Sequence, residues 1–191
     1  MQSRYTLPTV ALSAAIAAAP AIAQEVYVFD VRHTVPTFEV THIGFSHQGG
    51  SFTNATGNVT LDRTAKKGTI DVSIATASAI AAPILLGVIK GEDFLNVEKF
   101  PTITYQSGDL QFEGDNVVGA NGELTLLGVT RPVALKVTSF KCAPNPFNKK
   151  PMCGGEATAT LKRSDFGMKY GLPAVASDDV KITIAFEAVR E

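Results

Sequence analysis

The sequence has no tryptophan, only two cysteines and little charge of either sign. Its 17 basic and 18 acidic residues give a formal net charge of -1, so no basic field is available to bind a polyphosphate backbone. Nucleic acid is therefore not an expected partner. The 16 glycines and 10 prolines are spread along the chain and leave little room for long helices. These features predict a folded protein of the all-β class.

The first 23 residues predict an export signal. Arg4 is their only charged residue, and it precedes an apolar run over residues 7–19 that is too short to cross a bilayer. Ala21-Ile22-Ala23 supplies the small-x-small pattern that a signal peptidase reads, so cleavage is expected before Gln24. An uncleaved N-terminal membrane anchor is the alternative, which the short apolar run disfavours. Cleavage would leave residues 24–191, which we expect to form one domain.

The two cysteines predict one disulfide bond. Cys142 and Cys153 are separated by a proline-rich segment, and an exported protein meets an oxidising environment in which disulfides persist. A zinc site is the weaker alternative, because two thiols without a nearby histidine do not provide a set of four ligands.

Alternation of apolar and polar residues is the main structural signal after residue 24. The C-terminal stretch shows it most clearly, since Val180, Ile182, Ile184 and Phe186 alternate with polar or small residues. Similar patterns predict eight or nine strands, near residues 27–33, 37–42, 56–62, 69–74, 102–107, 117–127, 133–138, 157–162 and 180–187. Because no helix long enough for a parallel crossover separates them, we expect antiparallel neighbours.

One segment departs from this alternation. Between residues 79 and 95 the apolar residues bunch together, and Ile84, Leu85, Val88 and Ile89 have helical spacing. We expect a short helix over one end of the sheet. Later in the chain, either residues 115–116 or residues 121–122 could make a hairpin turn.

An amphipathic sheet can cover its apolar face in two ways, as a sandwich of two sheets or as a closed barrel, and the alternation does not distinguish them. An eight-stranded barrel is just wide enough to fill with side chains or to hold one small ligand.

Four strings in the chain resemble the signatures of the YceI family of exported bacterial proteins. They are DVRHT at residues 30–34 continued by Phe38-x-Val40-x-His42, FLNVEKFP at residues 94–101, LTLLGVTRPV at residues 124–133, and RSDFGM at residues 163–168 continued by SDDV at residues 177–180. Their order and their spread over nearly all of residues 24–191 make the resemblance specific.

The resemblance implies a lipocalin-like, eight-stranded antiparallel barrel with a short helix near its mouth. It also implies an interior that holds a long isoprenoid or similar amphiphilic chain, and a periplasmic location in a Gram-negative bacterium. It favours the turn at residues 115–116 and places Gly122 inside a strand, at a bulge. Many members carry an Asp-x-His pair in the helix, where this chain has Leu86 and Val88, so a different or less polar ligand headgroup is implied.

Ten residues are candidates for lining a ligand cavity, because they have the inward phase or lie in the matched strings near the mouth. They are Phe38, Val40, His42, Ile89, Phe94, Ile103, Tyr105, Leu126, Phe166 and Met168. Ordinary core packing is the alternative for each of them. The Tyr105 hydroxyl could orient a ligand, and His42 shares the phase of Phe38 and Val40.

Neither a metal site nor a catalytic site is predicted. His33, His42 and His47 are close in sequence but do not form a three-ligand pattern, and the chain has no Gly-x-Ser-x-Gly nucleophile elbow. The polar residues of the C-terminal string are expected to form a salt-bridged turn that holds the last two strands. They are Arg163, Asp165, Asp178 and Asp179.

We therefore expect a non-enzymatic carrier of an isoprenoid chain, such as a quinone tail or a polyprenyl phosphate, that needs no cofactor. Two alternatives remain: an enzyme that acts on the isoprenoid headgroup, with His33 and His42 as candidates, and a filled barrel with a structural or stress-response role in the envelope. A homodimer is left open.

Export gives the first testable prediction. When the full chain is expressed in a Gram-negative host, the periplasmic fraction should contain a protein that begins at Gln24, because residues 21–23 match the signal-peptidase pattern. Intact-mass measurement and N-terminal sequencing check the cut. Replacing Ala21 and Ala23 with arginine should leave a longer, membrane-associated precursor, and a full-length chain free in the cytoplasm would contradict the prediction.

Overall fold

The structure is a computed structural model that describes residues 24–191, so the predicted signal peptide, residues 1–23, lies outside the described residues. The described chain forms eleven strands, one α-helix and two short 3-10 helices. The strands are β1 (Glu25–Phe29), β2 (Val35–His42), β3 (Ser46–Phe52), β4 (Ala55–Asp62), β5 (Lys67–Ala75), β6 (Ala79–Ala81), β7 (Thr102–Glu113), β8 (Asn116–Leu126), β9 (Val129–Pro144), β10 (Pro151–Lys162) and β11 (Asp179–Arg190). The helix is α1 (Pro83–Lys90), and the 3-10 helices are Thr76–Ser78 and Arg163–Phe166.

The strands make one closed, antiparallel sheet. Each strand pairs with the next along the barrel, and β11 closes it by pairing with β1. Three pairs of consecutive segments, β1 with β2, β3 with β4 and β5 with β6, act as single strands interrupted by a bend, because their partners pair with both halves. The architecture is therefore an eight-stranded up-and-down barrel, which confirms the predicted fold and excludes the two-sheet sandwich.

The bend between β1 and β2 is built by the string DVRHT. The Asp30 carboxylate accepts hydrogen bonds from the side chains of Arg32 and His33, at 3.2 and 2.9 Å, and these bonds hold the pKa of Asp30 well below its usual range. The Thr34 hydroxyl donates to the carbonyl of Glu187 on β11. The bend lets β11 pair with β1 at one end of the barrel and with β2 at the other.

The predicted short helix is present within residues 79–95, and the structure adds a strand that the pattern missed. Residues 79–81 form β6, and α1 begins with Pro83, whose fixed φ suits a first helical turn. The missed strand is β3, Ser-His-Gln-Gly-Gly-Ser-Phe, which has no apolar alternation. A side chain at Gly49 or Gly50 would collide with the neighbouring strands, so the glycines allow this close pairing.

The turn between β7 and β8 lies one residue earlier than predicted. Its two central residues are Gly114 and Asp115, between the paired Glu113 and Asn116, and Gly114 has a positive φ of 57° that suits glycine. Gly122 lies inside β8, opposite a register shift in β7. A Cβ atom on Gly122 would lie 2.6 Å from the Tyr105 hydroxyl oxygen.

The connections between the eight barrel strands lie at the two ends of the barrel, whereas the bends between β1 and β2 and between β3 and β4 do not. We call one end the mouth, formed by residues 43–45, 76–101, 127–128 and 163–178, and the other end the base, formed by residues 63–66, 114–115, 145–150 and both ends of the described chain. A packed cluster lies toward each end. The base cluster consists of Tyr27, Leu61, Leu110, Val117, Ala120, Cys153 and Ala188. The mouth cluster consists of Phe52, Ala79, Leu95, Ile103, Leu126, Phe166 and Met168.

The disulfide between Cys142 and Cys153 is present, as predicted. The two cysteines face each other on β9 and β10, and the hairpin loop is only residues 145–150, because the strands extend to Pro144 and resume at Pro151. The bridge therefore fastens the base end of this hairpin.

Removing the disulfide should destabilise the barrel. Replacing Cys142 and Cys153 with alanine should lower the free energy of unfolding by about 3 kcal/mol, because the unfolded chain regains the freedom of a short closed loop. Urea denaturation of the wild type and the double variant, with and without reductant, measures the difference. Reductant should change the wild type only; equal stability of all samples would contradict the prediction.

Candidate functional site

The barrel encloses a large cavity. Its volume is about 620 Å³, within the range of about 300–1,000 Å³ for small-molecule sites. Its wall includes His42 and Tyr170 at the mouth, and Leu61, Val117 and Cys153 at the base. The cavity thus runs along the barrel between the two packed clusters, and the interior is not filled by side chains.

The alternation of the strands produces the cavity wall. On β9, Val133, Leu135 and Val137 line the cavity, while Ala134 and Lys136 between them are exposed to solvent. The inward residues are only half-buried, because no side chain from the opposite wall reaches across to cover them. An eight-stranded barrel is expected to be hollow where its inward side chains are too small to meet at the barrel axis.

The wall is almost entirely apolar, and most of its few polar groups are already engaged. Thr34 and Tyr105 both donate hydrogen bonds to backbone carbonyls. The wall also carries the side chains of Thr37, His42, Gln48, Arg163 and Tyr170, of which His42, Gln48 and Tyr170 lie toward the mouth. The deeper part of the cavity therefore offers shape and apolar surface rather than hydrogen bonds.

Tyr105 on β7 is buried, and its hydroxyl donates to the carbonyl oxygens of Val133 at 3.0 Å and Ala120 at 3.3 Å. Burial raises the pKa of Tyr105 to about 12. These hydrogen bonds pin β7 to β8 and β9 across the barrel wall, so the hydroxyl proton that could orient a ligand is already in use.

Arg163 is the largest fully buried side chain, with 2% of its surface exposed. Its guanidinium donates to the backbone carbonyls of Met168, Tyr170, Ala176 and Ser177, at 2.9 to 3.3 Å, and lies 5.8 Å from the centre of the Phe94 ring. Burial lowers its pKa. Arg163 thereby holds the long loop between β10 and β11 in place over the mouth.

This loop differs from the predicted salt-bridged turn. Arg163 is bonded to carbonyl groups and not to a carboxylate, and Asp178 instead accepts hydrogen bonds from the backbone and hydroxyl of Ser164, which lower the pKa of Asp178. Lys162 pairs with Asp179 at 2.9 Å. Hydrogen bonds within the loop therefore hold the last two strands more than ion pairs do, since exposed pairs contribute little.

Nine of the ten predicted lining residues lie on the cavity wall, and their contact with a ligand stays a prediction. The nine are Phe38, Val40, His42, Ile89, Phe94, Ile103, Tyr105, Leu126 and Met168. Phe166 is not on the wall, because it is packed into the mouth cluster with 2% of its surface exposed.

Sequence reasoning left out much of the wall, although its signal was present. The omitted residues include the inward positions of the last three strands and the helix face, namely Val133, Leu135, Val137, Ala159, Leu161, Ile182, Ile184, Phe186, Ile84, Leu85 and Val88. Each belongs to an alternating or helical stripe visible in the sequence. The sequence pattern does not show which of these stripes face a cavity and which face packed neighbours.

The three histidines do not converge. His33 lies outside the barrel against Asp30, His47 is exposed at 3.9 Å from Glu39, and only His42 lines the cavity. Within residues 24–191, no group of three or more histidine, cysteine, aspartate or glutamate side chains is arranged to hold a metal ion. In the same range, no helix is long and apolar enough to cross a bilayer.

Comparison with known proteins gives one matching family model and several relatives. The model described as a YceI-like domain matches residues 27–188. A UPF0312 protein of Shewanella sp. (strain W3-18-1) is 33% identical over 169 residues, which span 86% of this chain and 87% of the relative. The shared region therefore includes all eleven strands almost from end to end.

Two solved structures show the same fold. BcnA of Burkholderia cenocepacia superposes with a TM-score of 0.67 at 20% identity, covering 83% of this chain and 98% of that chain. A polyisoprenoid binding domain from Saccharophagus degradans, implicated in plant cell wall breakdown, superposes with a TM-score of 0.61 at 12% identity, covering 86% and 98%. At these identities the likeness establishes the barrel fold alone.

The buried phenol of Tyr105 should make the barrel sensitive to alkaline pH. Its pKa of about 12 in the folded state lies above the value of 10.0 expected when the chain unfolds. The unfolded state therefore loses its proton first as pH rises, and about 2 kcal/mol of stability should disappear between roughly pH 10 and 12. Urea denaturation across this range measures the loss.

A matched pair of variants isolates the contribution of Tyr105. The slope of stability against pH should be smaller in Tyr105→Phe, although that variant is less stable at neutral pH because it loses its hydrogen bonds. Phe147→Leu, which changes an exposed side chain that does not titrate, should keep the wild-type slope. The prediction fails if Tyr105→Phe shows the same decline as the wild type.

Proposed function

The chain belongs to the YceI-like family, and from that premise we propose that it is a periplasmic, non-enzymatic carrier that encloses a long isoprenoid or similar amphiphilic lipid. The observation that carries the proposal is the cavity of about 620 Å³, which has a packed cluster of side chains toward its base and is lined almost wholly by apolar groups. A quinone tail or a polyprenyl chain has the matching chemistry.

Burial of the tail provides the binding energy. Each buried CH₂ group contributes about 0.8 kcal/mol before the costs of ordering the chain. Because this energy depends on area and not on chemical detail, the deep wall would accept any flexible hydrocarbon that fits. The base cluster limits the length that can enter, so chain-length preference would come from the depth of the cavity.

The headgroup would remain near the mouth. His42, Gln48 and Tyr170 supply the polar groups there, and α1 carries the apolar Leu86 and Val88. The wall near the helix therefore suits a weakly polar headgroup better than a densely charged one.

Two further observations support the proposal. The Saccharophagus degradans domain that shares the fold is described as polyisoprenoid binding, and an elongated apolar cavity in this chain provides the physical basis for the same kind of ligand. The disulfide and the Gram-negative relatives agree with an exported protein, since disulfides persist in the periplasm.

The direct test compares two tryptophan variants on β10. Ala159 lines the cavity and Thr160 is exposed on the outer face of the barrel. In Ala159→Trp the indole would occupy cavity volume, so affinity for a fluorescent or radiolabelled isoprenoid should fall by about tenfold or more, whereas Thr160→Trp should bind like the wild type. Thermal unfolding of both variants shows that they are folded.

Ligand extraction provides the second readout. Native mass spectrometry of protein made in its own host should show a bound amphiphile in the wild type and in Thr160→Trp, and less of it in Ala159→Trp. The proposal fails if no amphiphile co-purifies and added isoprenoids do not bind, or if the two variants bind equally.

A further inference from the structure

The mouth carries an unusual concentration of exposed apolar side chains. Phe45 in the turn between β2 and β3 is 90% exposed, and Ile84 on α1 is 85% exposed. Besides Ile80 on β6, the other exposed apolar side chains of this end lie in the same turn, in α1 and in the loop before β11, namely Ile43, Val88, Tyr170 and Val175. Together with Phe45 and Ile84, these four line up along the turn, the helix and the loop. We call these six residues the apolar rim.

The segments that carry the rim are joined to one another around the mouth. The backbone N–H of Ile43 donates to the carbonyl of Val175 at 2.9 Å, which joins the β2–β3 turn to the loop before β11. On its other side, β3 pairs with β6, which leads directly into α1. Tyr170 contacts the ring of Phe94, which follows α1.

The segments that carry the rim contain no charged residue. Residues 43–45, 79–89 and 170–177 include neither an acidic nor a basic side chain, and charges begin at the flanking Lys90, Glu92, Lys169 and Asp178. A helix that is apolar on most sides is normally covered on most sides, yet no residue of α1 is buried. Exposed patches of this kind mark interaction sites.

The base has the opposite character. Glu25 pairs with Arg63 and Arg190, at 3.8 and 2.8 Å, and Lys66 pairs with Asp115. The apolar rim and the base therefore differ in charge, and four exposed rim residues also line the cavity, namely Ile84, Val88, Tyr170 and Val175.

We propose that the apolar rim docks on the surface of a lipid bilayer, with Phe45 and α1 inserted among the headgroups and the cavity mouth facing the acyl chains. A bilayer accounts for the absence of charge, because charged side chains resist entry into its apolar region. Tyr170 suits the interface, where tyrosine is enriched. A flat protein partner would instead close the opening that the rim surrounds.

Docking would give an oily tail a route between membrane and cavity without passing through water. This purpose rests on the proposed carrier function, whereas docking itself does not, so the two can fail separately. The attraction is apolar, and docking should therefore depend weakly on salt and on lipid charge, unlike the binding of a basic protein to anionic lipid.

The experiment measures partition of the purified protein, residues 24–191, into phosphatidylcholine vesicles by co-sedimentation. Phe45→Asp should weaken partition by about tenfold or more, since the aromatic side chain that inserts into the bilayer is replaced by a charge, and Phe45→Leu should keep most of the wild-type partition. Phe147→Asp is the matched control, because Phe147 is 94% exposed at the opposite end of the barrel. Isoprenoid binding by these variants in solution should match the wild type.

Several results would overturn docking. They are absence of wild-type partition, equal loss in Phe45→Asp and Phe147→Asp, or binding that requires anionic lipid and is abolished by salt. A dimer that is broken by Phe45→Asp, with no vesicle binding, would show that a second copy covers the rim instead. Partition without isoprenoid binding would leave docking intact and remove the carrier function.

Discussion

The structure depends on the backbone hydrogen bonds that close the barrel, which β11 makes with β1 at residues 188–190 and with β2 at residues 181–185. Without both sets, β11 and the first barrel strand would be free edges, and the apolar face of the sheet would need a second layer to cover it. Closure is helped by the bend at residues 30–34, since it lets one long strand, β11, hold both halves of the first barrel strand. The string DVRHT therefore has a structural role in closing the barrel, which does not depend on any ligand.

Closure also creates the empty space. Eight strands enclose an interior that small inward residues such as Val133 and Val137 do not fill, and an unfilled apolar cavity costs stability because its lining lacks contact partners. Part of this cost is offset by the packed clusters at the two ends and by the disulfide at the base. The hydrogen bonds from Arg163 to backbone carbonyls at the mouth offset a further part. An apolar ligand would recover the missing contacts and stabilise the folded state by mass action.

The sequence could predict the strands that alternate and could not predict those that do not. The alternation on β9 predicts an inward stripe, formed by Val133, Leu135 and Val137. By contrast, β3 has two glycines and polar neighbours, and it becomes a strand only because β2 and β6 pair with it. Ten candidate site residues were chosen from phase and matched strings, and nine lie on the cavity wall. Phe166 shows the limit of that reasoning: phase cannot tell a packed residue from a lining one, because both face inward.

The two ends of the barrel differ in their side chains, and this difference bears on which ligands the barrel can select. Its deep wall is apolar, so it distinguishes hydrocarbon chains by length and shape and hardly by chemistry. Selection must then come from the ends: packed side chains such as Tyr27 and Leu61 set the depth at the base, and the residues of the mouth decide what reaches the cavity. Charged side chains at the opening would have to lose water to let an oily tail pass, and residues 43–45, 79–89 and 170–177, which carry the apolar rim, contain no charged side chain. The same uncharged residues that expose apolar surface to water therefore lower the free-energy cost for an apolar chain to enter the cavity. The composition of three short segments thus determines how readily the cavity can be filled.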